Sequence, residues 1–441
     1  MIFGRNKTVL LFIGDIFFLY ITLLLMLLWS YFPFPEERVF FEHLTAFSLL
    51  IALWVLVFFI AGFYEKTTLF SRRNFTSLLL KAQSVNIVIA VFFFYFIPFF
   101  GITPKTNLFF YLIVSFLLLA FWRLYITPFI QVNKKPLEAL LIAPLNEIDA
   151  LVKTINNNPR YGIAFSASYD INALNEKVLI KIRNAIEKKG ITYLVVDMGS
   201  EHSDEIPFSL YNFLFTTVHI VDMSEFCEDL FGKVPISSLS YRWFLEHIPE
   251  TEHPLYDFFK RGMDIVIGVV LGTLSLLVYP LVYLAVVLDD GGPLFFHQVR
   301  IGKNGKKITI SKFRSIKKEG GLLEVTRVGF FLRATRLDEV PQLWNIVKGD
   351  LSLIGPRPEI PELVSEYTAQ IPYYNTRHLI KPGLSGWAQI FQENHPHHIR
   401  DVEATKEKLS YDLYYIKNRS LLLDVIIALK TIRTLLSRKG K

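Results

Sequence analysis

Four long apolar stretches before residue 130, at roughly 8–32, 46–64, 84–100 and 107–128, constrain this chain more than any other feature. Each approaches the ~20 residues that a helix needs to cross a ~30 Å hydrocarbon core, the third falling short. A backbone in lipid must satisfy its polar groups internally, so the stretches predict membrane-crossing helices. The first is too long for a signal peptide and lacks a small-residue cleavage site, which makes it a retained anchor. A hydrophobic content of 52% and 40 phenylalanines agree with a membrane protein.

Charge orients these segments. Arg5 and Lys7 precede the first stretch, and Lys66, Arg72, Arg73 and Lys81 lie between the second and third, whereas Arg38 and Lys105 are the only basic residues in the other two connections. The positive-inside rule then places the N-terminus, and the chain just after residue 128, on the cytoplasmic side. A net charge of +7 would also suit nucleic acid. The cations, however, flank apolar segments and collect at Lys430, Arg433, Arg438, Lys439 and Lys441, where anionic lipid headgroups explain them better. No nucleic-acid partner is expected. The single cysteine, Cys227, excludes an intrachain disulfide framework and suits a reducing compartment.

Between about 137 and 223, short apolar runs ("LEALLIAP", "YGIAFSASY", "ITYLVVDMG", "TTVHIVDM") alternate with helical patterns near 146–156, 174–189 and 203–214. This alternation predicts a small parallel sheet with crossover helices, a Rossmann-like α/β module over 131–250. The turn after the first strand reads Ala143-Pro144-Leu145-Asn146. Without glycine it offers no close approach to a pyrophosphate, so the module reads as regulatory or packing, without a dinucleotide.

Residues 265–288 are again long and apolar, but Lys260 and Arg261 precede them and Arg300, Lys303, Lys306 and Lys307 follow. Positive charge at both ends favours both ends on one side. Pro280 breaks the helical pattern, so the segment reads as a re-entrant helix–break–helix, with Ser275 able to satisfy a backbone group freed there. An ordinary fifth span is the alternative.

The stretch 293–315 predicts a β-hairpin turning at Asn304-Gly305, with Lys312 and Arg314 two apart on one face of its second strand. Residues 328–336 form a predicted helix that carries Arg333 and Arg336, and a short helix follows over about 339–347, beginning at Asp338 and stopping at Gly349. Asp338 has two readings. As an N-cap it contributes about 1 kcal/mol, which leaves Glu339 and the arginines unexplained. Otherwise it is a nucleophile kept ionised by the helix terminus and the arginines, whose field also attracts phosphate. A carboxylate attacking phosphorus meets like charge that a divalent cation relieves. Glu339 is the nearest oxygen ligand for such an ion, and Mg²⁺ the expected one.

Further on, Pro356 and Pro358 stiffen the backbone around Arg357 in "SLIGPRPE", which suits bidentate contact with phosphate. "RHLIKPGLSGWAQI" (377–390) is a basic, aromatic segment that suits a phosphate or a base, and "HPHHIR" (395–400) reads as a solvated loop and not a metal set. The amphipathic pattern from 411 to 437 predicts either an interfacial helix or a core helix.

Six ordered blocks, "FKRGMDIVIG", "GPLFFHQVRIGKNGK", "KFRS", "TRLDEVPQLWNIVKGDLSLIGPRPE", "KPGLSGWAQI" and "YDLYYIKNRSLLLD", resemble the bacterial sugar transferase family over roughly 255–441. These are the monotopic phosphoglycosyl transferases. Residues 1–250 are similar to the large subgroup, with four transmembrane helices (1–130) and a Rossmann-like module ahead of the catalytic domain (251–441). The fold class implied is a membrane protein, α plus α/β, with a mainly α catalytic domain holding the re-entrant helix and a small hairpin. The resemblance implies transfer of a hexose-1-phosphate from a UDP-sugar to polyprenyl (undecaprenyl) phosphate, releasing UMP through a covalent aspartyl intermediate. Carried over, Asp338 is the nucleophile and Glu339 the Mg²⁺ partner. Lys312, Arg314, Arg333, Arg336 and Arg357 fall in basic motifs near the phosphates, and Ser275 and Pro280 at the membrane break. Ile316 departs from the family, where many members have Met, and touches no chemical role. The implied place is the inner face of a bacterial cytoplasmic membrane, initiating exopolysaccharide, capsule or O-antigen synthesis. The sugar and homo-oligomerisation stay open. Two other readings are a catalytically silent scaffold for polysaccharide export, against which the dyad and the missing Gly-rich loop count, and an Mg²⁺-dependent phosphohydrolase.

Overall fold

The computed structural model describes residues 5–64, 72–97, 105–127, 136–158, 161–198, 211, 213, 218–236, 239, 241–248, 253–319, 322–392 and 401–436. Two compact units divide the chain: Met1–Val196 with Asn212–Ile220, and Asp197–Tyr211 with Val221–Lys441.

In the first unit, four helices among the described residues are long and apolar enough to cross a membrane: Val9–Ser30, Glu37–Ala61, Phe75–Phe96 and Asn107–Ile126. The third helix of the chain begins at Arg72, well before the apolar stretch expected from 84. Two of its polar residues, Gln83 and Asn86, turn inward, which hydropathy alone does not register. Gln83 donates to the Ser115 hydroxyl at 3.2 Å, Asn86 donates to the Gln83 side chain at 3.2 Å, and Trp54 Nε1 donates to the Asn86 carbonyl at 3.1 Å. Arg123 makes a two-pronged pair with Asp15, at 2.9 and 2.5 Å, and both are buried. Charges at such a depth persist only when they face one another inside the bundle.

After the bundle come β1 (Leu137–Ala143), β2 (Ile163–Asp170), β3 (Tyr193–Val196) and β4 (His219–Asp222), ordered β2-β1-β3-β4. β1 pairs in parallel with both β2 and β3. Helices Leu145–Asn156 and Glu176–Lys189 connect the first three strands. Pro144 occupies the N-cap of the first helix. The helix expected at 203–214 and the histidines at 395–400 lie outside the described residues, apart from Tyr211 and Phe213.

The second unit is built on a broken helix pair, Pro254–Ser275 and Tyr279–Asp290, bent by 55°. Pro280 stands in the first turn of the second helix, where its missing N–H costs nothing, and the break itself falls at 276–278. Ser275 donates to the Gly272 carbonyl at 2.6 Å, so its hydroxyl serves the turn below the break and not a group freed at Pro280. The buried face of the first helix is Asp264, Gly268, Gly272 and Ser275. The two glycines seat helix Gln342–Lys348, since an added Cβ would meet Val347 at 3.1 Å or Trp344 at 3.4 Å.

Upstream residues of this unit pack on its later helices. Lys417 pairs with Glu228 at 2.9 Å, Lys233 with Glu407 at 3.1 Å, and Trp387 Nε1 donates to the Gly232 carbonyl at 2.7 Å. The pattern from 411 to 437 is not one helix but parts of two, Val402–Asn418 and Leu421–Leu436. Leu413, Tyr415 and Ile416 of the first are core residues beside Tyr374 and Trp387.

Candidate active site

The hairpin forms as its turn signal predicts. β5 (Phe295–Ile301) pairs antiparallel with β6 (Lys307–Phe313), and Asn304 and Gly305 both take positive φ between them. Phe296 lies opposite Lys312, so Lys312, Gln298 and Arg300 share a face.

Helix Arg327–Ala334 starts at Thr326, whose hydroxyl accepts from Gly329 N at 2.9 Å. Gly329 is required there because a Cβ would lie 2.1 Å from the Ser315 carbonyl oxygen. The chain leaves this helix through Arg336, at φ +59°, and enters a 3₁₀ turn, Leu337–Glu339. A left-handed conformation at a non-glycine costs about 1–2 kcal/mol. The strained residue reverses the backbone and aims both acids at the hairpin.

Asp338 is not an N-cap. The 3₁₀ turn has no side-chain cap, and the helix Gln342–Lys348 follows Pro341, which cannot supply one. The cations converge on its neighbour instead. Glu339 Oε1 accepts from Lys312 Nζ at 2.9 Å and Arg357 Nη2 at 2.6 Å, and Arg336 Nη1 lies 3.9 Å away. Burial alone would raise the Glu339 pKa, but Arg357 and Lys312 outweigh it and hold the carboxyl well below the usual range. Asp338, 7% exposed, moves the other way. Burial and then the Glu339 charge raise it above its ordinary value, and Lys312, Arg336 and Arg357 only partly offset this. The arginines therefore favour the ionised form of Asp338, as expected, but their short contacts go to Glu339 and burial works against them.

Not every predicted residue joins this group. Arg314 pairs with Asp290 and donates Nε to the Ile316 carbonyl at 3.2 Å, its guanidinium lying where a Cβ on Gly292 would displace it. Arg333 sits in the last turn of helix Arg327–Ala334, one turn behind Arg336. Ser275 and Pro280 belong to the helix break.

Arg357 in turn rests on a buried network that the motif reading missed. Arg377 Nη2 donates to the Arg357 carbonyl at 2.9 Å and pairs with Asp412 at 2.9 Å, while its Nη1 donates to the Tyr374 hydroxyl at 2.7 Å. Glu359 pairs with Lys408 and lies 3.8 Å from both Arg377 and Arg300. Lys408, Arg377 and Arg300 overcome the effect of burial and draw the Glu359 pKa down to about 2. Arg300 Nη1 also donates to the Pro358 carbonyl at 3.2 Å. The signal for Arg300 was its strand phase with Lys312. Arg377 opens the basic segment 377–390 and Asp412 falls in the block "YDLYYIKNRSLLLD", but neither pattern announced that the two pair behind Arg357.

Among the described residues no group of three or more His, Cys, Asp or Glu could hold a metal alone. Both short contacts to Glu339 use Oε1, and no hydrogen bond found among the described residues uses Oε2. An ionised carboxylate with a spare oxygen beside a second carboxylate suits Mg²⁺, which takes one or two carboxylates and completes its shell from substrate phosphates.

Comparisons with known proteins agree on this half of the chain. A family described as "Bacterial sugar transferase" matches residues 255–438. The UDP-N-acetylgalactosamine-undecaprenyl-phosphate N-acetylgalactosaminephosphotransferase of Aeromonas hydrophila is 39% identical over 233 residues, 51% of this chain and 53% of that protein. The UDP-glucose:undecaprenyl-phosphate glucose-1-phosphate transferase of Escherichia coli is 36% identical over 41% of this chain and 42% of its own length. The chain thus spans about half or less of these two relatives. An uncharacterized sugar transferase of Bacillus subtilis, EpsL, is 36% identical over 189 residues, which are 41% of this chain and 89% of EpsL.

Proposed function

Because the chain belongs to the bacterial sugar transferase family, we propose that it transfers a sugar-1-phosphate from a UDP-sugar to undecaprenyl phosphate. The names of the Aeromonas and Escherichia relatives support both substrates. The observation that carries the mechanism is the division of labour in the dyad: Glu339 absorbs Lys312 and Arg357, and Asp338 stands beside it with no capping role.

A carboxylate oxygen of Asp338 attacks the β-phosphorus of the UDP-sugar. The bond from that phosphorus to the oxygen bridging it to the α-phosphorus breaks, and UMP departs with that oxygen and its electron pair. An oxygen of the lipid phosphate then attacks the same phosphorus, the Asp338–phosphorus bond breaks, and the sugar remains on a lipid diphosphate. Glu339 Oε2, with Asp338, would hold Mg²⁺, which supplies neutralisation of the phosphate charge. Arg336 and the guanidinium of Arg357 face the same acids and are placed to hold phosphate oxygens.

The broken helix pair serves as a re-entrant membrane element, with the domain on the cytoplasmic side. Both of its ends are tied to this one domain: Asp264 accepts from Leu353 N at 3.0 Å, and Asp290 pairs with Arg314. Val266, Val270, Leu274, Leu277, Leu281 and Leu288 are exposed along its outer faces, as a lipid-facing element requires. On this reading the chain acts at the start of an exopolysaccharide, capsule or O-antigen pathway. The test is a panel of UDP-sugars with and without undecaprenyl phosphate in the presence of Mg²⁺. One sugar should yield lipid-linked product and stoichiometric UMP. Phosphosugar passing to water at the same rate without the lipid would refute the transferase reading.

A further inference from the structure

A second group of cations surrounds a cavity of about 150 Å³ whose walls include neither Asp338 nor Glu339. Lys260, Arg261, Lys303, Lys381 and Arg419 line it against two carboxylates, Asp257 and Asp264. Two of the cations are neutralised. Lys260 pairs with Asp424 at 2.6 Å, and Arg419 pairs with Asp257 at 3.0 Å.

The other three face one remaining carboxylate, Asp264, and so keep a net positive charge. Arg261 donates to the carbonyls of Ile346 and Val347, each at 2.7 Å, which satisfies its hydrogens and caps a helix end but cancels no charge. Lys303 is exposed and Lys381 half-buried, and neither has a hydrogen-bond or ion-pair partner among the described residues. Burial, then Arg261 and Lys303, push the Lys381 pKa down, with Asp264 offsetting part of this. An ammonium crowded by like charges is relieved by an anion. The volume suffices for a phosphate, given ~30 Å³ per displaced water.

The site's height points to the same chemistry. Lys260 and Arg261 immediately precede the apolar run from 265, and Leu255, Phe258 and Phe259 are exposed on the same helix. Basic residues beside exposed aromatics mark the headgroup level of a bilayer. Residues 377–390, singled out as a basic segment suited to phosphate, contribute Lys381 and Ile380 to the wall.

We propose that this cavity is a second phosphate site, formed by Lys381, Lys303 and Arg261, separate from the dyad. The phosphate comes either on the headgroup of an anionic phospholipid or as a soluble anion. The proposal does not rest on the transferase reading, since its test reads binding and not turnover.

The full chain, delipidated in neutral detergent, is titrated with phosphatidylglycerol and with diacylglycerol by native mass spectrometry, and with inorganic phosphate by equilibrium dialysis. Lys381→Gln should weaken one bound phosphatidylglycerol about tenfold, the worth of a charge-assisted hydrogen bond. Lys303→Gln should weaken the same ligand less, and diacylglycerol should not bind there. Loss in the lipid arm alone assigns a headgroup, and loss in the phosphate arm assigns a soluble anion. Any anion held at Glu339 is common to all variants and cancels. If Lys381→Gln misfolds, the exposed Lys303→Gln decides. Absence of binding to the wild type in both arms, or equal affinity across the variants, overturns the proposal.

Discussion

Asp338 and Glu339 are consecutive, both buried, and shifted in opposite directions: Glu339 is held far below the usual carboxylate range by Arg357 and Lys312, and Asp338 is raised by burial and by the Glu339 charge. Two carboxyl groups with pKa values driven apart are suited to different tasks, one as a fixed anion and one as a reactive group.

Replacing Asp338 with Asn should separate activity from stability. Removing a covalent nucleophile costs about three or more orders of magnitude in rate. The ionised Asp338 weakens the fold at neutral pH, because a raised pKa favours the native state only when the group is protonated. UMP release should therefore vanish while the thermal unfolding midpoint stays level or rises. A lower midpoint would show that Asp338 is structural.

Glu339→Gln should do the reverse to stability. It strips the counter-charge from Lys312 and Arg357, and an unpaired buried cation costs about 2–3 kcal/mol when partly open to water. The unfolding midpoint should fall, and Glu339→Asp should restore part of it.

The pH dependence has one expected acid limb. Attack needs ionised Asp338, so kcat/KM should be flat near neutrality and fall with unit slope as the pH drops through a value above the ordinary 3.8. Glu339 stays ionised throughout this window, because its pKa is lowered, and adds no second proton. A slope of two would contradict the assignment.

His378 supplies a separate, stability-linked titration. Burial, and then Arg377, push its pKa down to about 4. The unfolded chain takes up this proton near pH 6.5 and the native state does not. Stability is therefore full above that pH and is lost progressively towards pH 4, by up to about 3 kcal/mol. Thermal unfolding of the wild type and His378→Gln between pH 7 and 5 should diverge, with the wild type falling more steeply.

The membrane helices, the parallel sheet and the hairpin were legible because their signals are local. Apolar length, strand alternation and Asn304-Gly305 each act within a few residues. The boundary of the third membrane helix was not, since Gln83 and Asn86 look polar until Ser115 partners Gln83 and Gln83 partners Asn86 inside the bundle. In the site, proximity in sequence marked Asp338, Glu339 and Arg336. The convergence of Lys312 and Arg357 on one oxygen depends on the left-handed turn at Arg336, which no pattern announced. Arg314, in phase with Lys312 on paper, lies just beyond the strand end and pairs with Asp290 instead.

The most direct measurement is mass mapping of the protein after incubation with its UDP-sugar and Mg²⁺ in the absence of lipid phosphate. A phosphosugar mass on the peptide containing Asp338, absent from Asp338→Asn and discharged by undecaprenyl phosphate, is the predicted result. Rapid lipid-dependent turnover with no adduct at Asp338 at any time would contradict it.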